Sequence, residues 1–173
     1  MDTATLRRHL EESHRDCYAW ALSCCDRDLA EADDVLQTTY LKVLDGRARF
    51  DGRSSFRTWL FGVIRHTAAD ERRRGIVRRI RHAVLGHDIP APDDSSLLAE
   101  AGAGHAALRG ALAHLPRRQR EVLLLVFYHS LTIQESARVL GIGLGSARTH
   151  YERGKRRLRD LLDGTPTLAA DHD

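Results

Sequence analysis

The chain of 173 residues carries 27 Lys and Arg against 24 Asp and Glu, a formal net charge of +3, and 42% of its residues are hydrophobic. This composition is typical of a globular protein with one medium domain or two small helical ones. No apolar run approaches the length that crosses a bilayer, and residues 1–16 lack the apolar core of a secretion signal. We therefore expect no membrane insertion and a cytoplasmic location.

Charge is segregated along the chain. Residues 1–34 contain four arginines and nine acids, whereas residues 65–82 contain seven arginines and two acids. Residues 148–159 are again basic, with six bases and one acid, and residues 88–100 between the two patches carry four acids and no base. A single charge run is usually a solvated helix face, but two separated basic patches favour contact with phosphates.

The first two predicted helices run from Ala4 to about Cys25 and from Leu29 to Leu44, with a break at residues 26–28. The first contains the chain's three cysteines, Cys17, Cys24 and Cys25, an odd set that does not indicate a disulfide framework. His14 precedes Cys17 at a spacing that could begin a metal site, but no second pair follows. We predict buried or half-buried free thiols and assign no metal and no cofactor.

A third helix follows two turn dipeptides, Asp45-Gly46 and Asp51-Gly52, with Ser54 or Ser55 as its cap. It has the best amphipathic pattern in the chain, and we expect Phe61 to lie off its apolar stripe. The stripe predicted to be buried comprises Phe56, Trp59, Leu60, Val63, Ile64, Thr67 and Ala68. The predicted outer face carries Arg57, Arg65, His66, Asp70 and Arg73.

The segment 86–94 contains Pro90 and Pro92 and predicts a linker. The predicted fold is therefore all-α, with two small helical domains joined by a flexible acidic linker. Its divisions are a first domain 1–85, a linker 86–104, a second domain 105–163 and a frayed tail 164–173. Residues 97–115 are weakly helical, and Pro116 suits the first turn of the helix after them.

The stretch "GIGLGSARTHYERGKRRL", residues 141–158, places three glycines before a strongly basic helix. Thr132 and Glu135 form a capping-box pattern for the helix that precedes it, and Gly141 suits a left-handed helix end. Ile142 would pack into the turn, and a new helix would begin near Leu144. That second helix is expected to bury Ala147, Tyr151 and Leu158.

Two short helices joined by a glycine turn form the helix-turn-helix pattern, whose second helix enters the major groove of DNA. The residues predicted to face bases are Arg148, Thr149 and His150. Those predicted chiefly to meet phosphates are Ser146, Arg153, Lys155, Arg156 and Arg157. The alternative is a basic hairpin that packs on an acidic protein surface.

This region, with "LPRRQREVLLLVFYHSLT" before it, resembles the fourth conserved region of bacterial sigma factors, which reads the minus-thirty-five element. Upstream, "EADDVLQTTYLKVL" at 31–44 resembles their second region, and "FDGRSSFRTWLFGVIRHTAADERRR" at 50–74 is similar to the part that captures the minus-ten element. With only two modules and a short linker, the match is to the compact extracytoplasmic-function (ECF) group. It covers about residues 5–162, and the combination is more specific than either motif alone.

The resemblance implies that core RNA polymerase and promoter DNA are the partners, through the clamp helices of the largest subunit and the flap of the second largest. Polymerase contacts would come from Asp33, Asp34, Gln37, Thr38 and Leu41. Minus-ten contacts would come from Arg53, Ser54, Ser55, Arg65, His66 and Asp70, with Arg72, Arg73 and Arg74 on phosphates. His66 stands where many relatives have asparagine, and "QTTY" at 37–40 replaces the usual QETF.

An ECF sigma factor would not be an enzyme, would act at the bacterial nucleoid, and could be silenced by an anti-sigma factor. Two other functions remain open on the residues alone. One is an autonomous dimeric helix-turn-helix regulator on palindromic DNA. The other is a metal-dependent enzyme built around His14 and the cysteines.

Overall fold

The computed structural model describes residues 2–84 and 103–164, and all regular structure within these ranges is helical. The chain divides into two compact units, residues 1–95 and 96–173. This confirms the predicted all-α class and the two domains. Residues 85–102, which include nearly all of the predicted linker, and residues 165–173 of the predicted tail lie outside the described residues, so the predicted domain limits stay predictions.

Three helices build the first domain: α1 (Thr3–Cys24), α2 (Leu29–Leu44) and α3 (Phe56–Val84). Asp2 caps α1 and Asp28 caps α2, and each carboxylate accepts a hydrogen bond from the backbone N–H three residues further on. Such caps satisfy N–H groups that a helix leaves without an internal partner. The predicted bounds of the first two helices are confirmed.

The connections between these helices also follow from local chemistry. Asp26 and Arg27 have φ angles of 49° and 72°, and this left-handed pair turns the chain from α1 into α2. Ser55 caps α3, because its hydroxyl oxygen accepts a hydrogen bond of 3.1 Å from the Thr58 N–H. The sequence had left Ser54 and Ser55 as equal candidates for this cap.

Trp20 and Phe61 form the centre of the first core. Both are fully buried, their rings stack at 5.8 Å, and the indole N–H of Trp20 donates to the Phe61 carbonyl at 3.0 Å. The prediction that Phe61 lies off the buried stripe is wrong. Helix α3 packs against both α1 and α2, so its buried face is wider than one stripe.

The aromatic residues at the start of α3 lie nearer the surface than predicted. Phe56 and Trp59 are half-buried, and with Phe50 they form a cluster with ring centroids 5.3 to 5.5 Å apart. Arg57 was predicted on the outer face, but its guanidinium lies 2.9 Å from the Asp16 carboxylate and over the Phe61 ring. It therefore joins α3 to α1.

The second domain comprises α4 (Ala103–Ala113), α5 (Arg117–Leu123), α6 (Ile133–Leu140) and α7 (Leu144–Leu162). Pro116 lies immediately before the first residue of α5. The helix predicted after it does not stay regular, because Leu124–Tyr128 widens into one π-helical turn. Single π turns of this kind often accompany functional surfaces.

The helix-turn-helix has the predicted caps. Thr132 and Glu135 exchange both hydrogen bonds of the capping box, and Gly141 has a left-handed φ of 62°. Gly143 is the N-cap residue of α7 and makes no side-chain capping bond, and Ala147 within the helix is fully buried.

Two residues of α7 predicted to be buried, Tyr151 and Leu158, are only half-buried. Gly154 of α7, by contrast, is buried against α5. A Cβ at that position would lie 3.2 Å from the Gln119 Cβ and from the Leu123 Cδ1. Because glycine has no side chain, α7 and α5 approach closely at this point. The small residue therefore sets the position of α7 against α5.

Candidate nucleic-acid and protein interfaces

Helix α7 presents a cationic surface. Ser146, Arg148, Thr149, Arg153, Arg156 and Arg157 are exposed, and His150 and Lys155 are half-buried. Within the described residues, Arg148, Arg156 and Arg157 take part in no ion pair. The structure therefore brings all eight predicted minus-thirty-five residues onto one helix. The guanidinium groups of Arg148, Arg156 and Arg157 suit phosphate oxygens and guanine edges.

Helix α3 differs because protein acceptors already bind three consecutive arginines, Arg72, Arg73 and Arg74. Arg73 lies 2.5 Å from the Asp70 carboxylate, and Arg74 lies 2.6 Å from Glu71. Arg72 instead donates to the Cys24 carbonyl oxygen at 2.5 Å. Arg72 is therefore directed toward α1, while Arg73 and Arg74 stay exposed.

The other predicted minus-ten residues lie at the start and middle of α3. Arg53 is exposed and paired with Asp51 at 3.3 Å, and Ser55 is the helix cap. His66 is exposed and Arg65 is half-buried. Ser54 is half-buried in the same loop, so the loop and the exposed side of α3 together form one candidate surface.

Sequence reasoning missed Lys42, which joins this surface from α2. Its ammonium donates to the Thr67 hydroxyl at 3.1 Å and lies 3.8 Å from Asp70. The hydrogen bond from Arg73 keeps the pKa of Asp70 below its ordinary value, and the nearby charges of Lys42 and Arg74 act in the same direction. A lone lysine in the sequence gave no signal of this arrangement.

The exposed side of α2 combines acids with apolar residues. Asp33, Asp34, Gln37 and Leu41 are exposed, and Thr38 is half-buried. Leu41 is 50% exposed although it lies within a well-packed helix. The residues that α2 buries, Val35, Leu36, Thr39 and Val43 among them, lie on its other side. The five predicted polymerase contacts therefore share a surface that a protein partner could cover.

An aromatic pair on the second domain was also missed. Phe127 and Tyr128 are 62% and 68% exposed, and both belong to the π turn. Phe127 stacks on Tyr151 of α7 at 5.9 Å, and Lys155 lies 5.4 Å from the Tyr151 ring. The apolar run "VLLLVFYH" predicted helix but did not show which rings would face solvent.

The cysteines do not form a chemical site. All three are buried thiols outside any disulfide, as predicted, and burial raises the pKa of Cys17 to about 12. His14 hydrogen-bonds to Tyr40 at 3.1 Å. In residues 2–84 and 103–164, no group of three His, Cys, Asp or Glu side chains could hold a metal ion. Over the same ranges, no helix has the length and apolar character needed to span a membrane.

Comparison with known proteins places both domains in one family. The family model "Sigma-70 region 2" matches residues 10–83, and "Sigma-70, region 4" matches residues 105–158. The ECF RNA polymerase sigma factor SigX of Bacillus subtilis is 34% identical over 87% of this chain and 79% of its own length. The ECF sigma factor SigC of Mycobacterium tuberculosis is 33% identical over 85% and 77%.

A solved structure supports the fold. The sigma factor RpoE of Bartonella quintana, crystallised with the anti-sigma factor NepR, has a TM-score of 0.67 at 24% identity, and the match covers 92% of this chain and 97% of that chain. Together with the family models and the relatives, the two helical modules lead to one conclusion. The chain belongs to the ECF sigma factors of bacterial RNA polymerase, regulatory subunits that direct transcription initiation at specific promoters.

Proposed function

We propose that this sigma factor binds core RNA polymerase through α2 and the π turn, and reads promoter DNA through α7 and α3. The observation that carries this assignment is that each compact domain combines one arginine-rich helix with an exposed patch, which is acids around Leu41 on α2 and the pair Phe127 and Tyr128 in the π turn. The arginine-rich helices suit DNA, and the two patches suit a protein partner.

At the minus-thirty-five element, α7 enters the major groove of intact duplex. Arg148, Thr149 and His150 near its beginning face base edges, and the later cations bind phosphates. The eight residues are those predicted from the sequence. The exposure of six of them, and the absence of a carboxylate partner for three of the arginines within the described residues, support this role.

At the minus-ten element, the loop 51–55 and the exposed side of α3 hold an unpaired strand. His66 and Asp70 contact bases, while Arg73 and Arg74 meet phosphates. The half-buried rings of Phe50, Phe56 and Trp59 lie beside this loop and support the surface. Because the protein favours the single-stranded state over the duplex, binding shifts the melting equilibrium without nucleotide hydrolysis.

On the polymerase, the α2 residues Asp33, Asp34, Gln37, Thr38 and Leu41 dock on the clamp helices of the largest subunit. The exposed pair Phe127 and Tyr128 docks on the flap of the second largest subunit. Aromatic residues supply large contact areas at little cost in side-chain entropy, which supports this second assignment.

These contacts place the protein with the polymerase on the bacterial nucleoid in the cytoplasm, acting without enzymatic chemistry of its own. One structural neighbour was crystallised with the anti-sigma factor NepR. We propose that an anti-sigma factor likewise controls this chain by covering the same surfaces.

A promoter-selection experiment tests these assignments. Core polymerase and the protein transcribe a randomised promoter library, and selected sequences are compared for wild type, Arg148→Ala, His66→Ala and the control Arg15→Ala, an exposed α1 variant. We expect Arg148→Ala to weaken the upstream preference by about 1–3 kcal/mol per contacted base pair, and His66→Ala to change preference only at the melted element. Duplex binding as a symmetric dimer without polymerase would instead support the autonomous regulator.

A further inference from the structure

The ammonium of Lys42 crosses from α2 to α3 and is held there. Its side chain is only 23% exposed, it donates to the fully buried Thr67, and it lies 3.8 Å from the Asp70 carboxylate. A lysine tied at two points in a helix–helix groove is a fixed charge, unlike a lysine in solvent.

Asp70 has a second cation, Arg73, which is 74% exposed and lies on the same helix. Because the carboxylate is 40% exposed and stays ionised at neutral pH, it competes with DNA for this guanidinium. An exposed ion pair of this kind contributes little stability and breaks easily. Lys42, by contrast, is directed into the groove and stays with Asp70.

Arg73 therefore has two possible anionic partners, and Asp70 has two cationic ones. If Arg73 leaves for a phosphate while Lys42 remains, the carboxylate is never without a counter-ion. If Lys42 were absent, the same departure would leave Asp70 unpaired beside a polyanion, which is unfavourable.

We propose that Lys42 is a positioning residue that retains Asp70 when Arg73 exchanges this carboxylate for a phosphate of the minus-ten strand. The inference rests on the proposed function, since it takes Arg73 as a phosphate contact. It assigns to Lys42 of α2 the role of a counter-ion for the strand-binding surface of α3, so helices α2 and α3 share one ion-pair network.

The test measures holoenzyme binding to a fluorescent forked DNA that carries the minus-ten sequence selected by the wild-type protein, over a series of salt concentrations. The variants are Lys42→Met, Lys42→Arg, Asp70→Asn, Arg73→Ala, and the doubles Lys42→Met/Asp70→Asn and Lys42→Met/Arg73→Ala. The control is Arg8→Met, which removes one positive charge from the exposed pair that Arg8 forms with Glu12 on α1. Thermal unfolding of each variant checks that the domain is intact.

Lys42→Met is expected to weaken DNA binding about fivefold, because Arg73 then stays with Asp70. The slope of log affinity against log salt concentration, here called the salt slope, should fall by about 0.7, which corresponds to the loss of one single-strand phosphate contact. Asp70→Asn added to Lys42→Met should restore affinity to within about twofold of Asp70→Asn alone, because Arg73 then has no competing carboxylate. Lys42→Arg and Arg8→Met should bind as wild type does. Arg73→Ala should weaken DNA binding by the wild-type protein, but it should cause little further loss of affinity when it is added to Lys42→Met.

Two results overturn the inference in distinguishable ways. If Arg73→Ala leaves wild-type binding and its salt slope unchanged, Arg73 is not a phosphate contact and the proposed function of α3 fails with it. If Arg73→Ala weakens binding but Asp70→Asn does not rescue Lys42→Met, Lys42 acts by contacting DNA or by holding the helices. In that case only the positioning role is lost.

Discussion

The two domains are both small helical bundles, but their cores differ in chemistry. The first is centred on the stacked pair Trp20 and Phe61, and both tryptophans of the chain belong to this domain. The second has a mainly aliphatic core and depends on backbone fits, such as the contact of Gly154 with α5 and the capping box before α6. Large buried rings therefore fill the centre of the first core, whereas the second core is built from smaller aliphatic side chains and a close helix–helix contact at Gly154.

The same contrast extends to charge. On α3 the exposed arginines Arg73 and Arg74 are held by carboxylates one turn away, whereas Arg148 and Arg156 of α7 have no ion pair within the described residues. Arg73 and Arg74 must therefore exchange a carboxylate before they can bind an external anion, whereas Arg148 and Arg156 need not.

Replacing Trp20 with alanine should give the largest effect, and it tests whether the stacked aromatic pair stabilises the first domain. We expect a loss of about 3–5 kcal/mol in the free energy of unfolding of the first domain, because a fully buried ring is removed. Urea titration followed by the fluorescence of Trp59 measures this domain alone. Trp20→Phe, which keeps a ring but removes the hydrogen bond to the Phe61 carbonyl, should lose clearly less, and equal losses would contradict an aromatic centre.

Replacing Gly154 with valine tests the backbone fit in the second domain. The new side chain overlaps Gln119 and Leu123, so we expect destabilisation of about 1–3 kcal/mol. Circular dichroism during urea unfolding measures it, and tryptophan fluorescence should stay unchanged. The matched control is Gly145→Ala in the same helix, where a Cβ meets nothing within 4 Å. That variant should be stabilised by up to about 1 kcal/mol, and a neutral Gly154→Val would show that α7 can shift.

Removing one helix cap from each domain should give the smallest effects, and it compares the contribution of the α3 cap with that of the α6 cap. Ser55→Ala and Thr132→Ala each delete a hydrogen bond to a free helix N–H, at a cost of about 1 kcal/mol. Tryptophan fluorescence should report only the loss caused by Ser55→Ala, because both tryptophans lie in the first domain. Circular dichroism should report the losses caused by Ser55→Ala and by Thr132→Ala. A larger loss for Thr132→Ala is expected, because its hydroxyl belongs to a capping box in which the Glu135 carboxylate also accepts from the Thr132 backbone N–H, whereas the Ser55 hydroxyl bonds the N–H and the hydroxyl of Thr58. Equal losses would mean that the reciprocal bond adds nothing.

Local chemistry decided which features could be predicted from the sequence. The capping box, the left-handed Gly141 and the break at residues 26–28 depend on neighbouring residues, and the structure confirms them. The position of Phe61 depends on two partner helices, and the π turn depends on packing around it, so periodicity alone could not give either. The Lys42 network joins residues 25 or more positions apart, which no pattern within one helix can indicate.

The burial of Cys17, Cys24 and Cys25 has a practical consequence for spectroscopy. Burial shields all three thiols from reagent, and Cys17, whose pKa burial raises to about 12, is also almost entirely protonated at the pH of maleimide chemistry. New cysteines placed on the exposed sides of α2 and α7 would therefore take up dyes selectively, with the native residues left in place. Energy transfer between two such dyes would follow the distance between the domains as the protein joins its polymerase and opens a promoter.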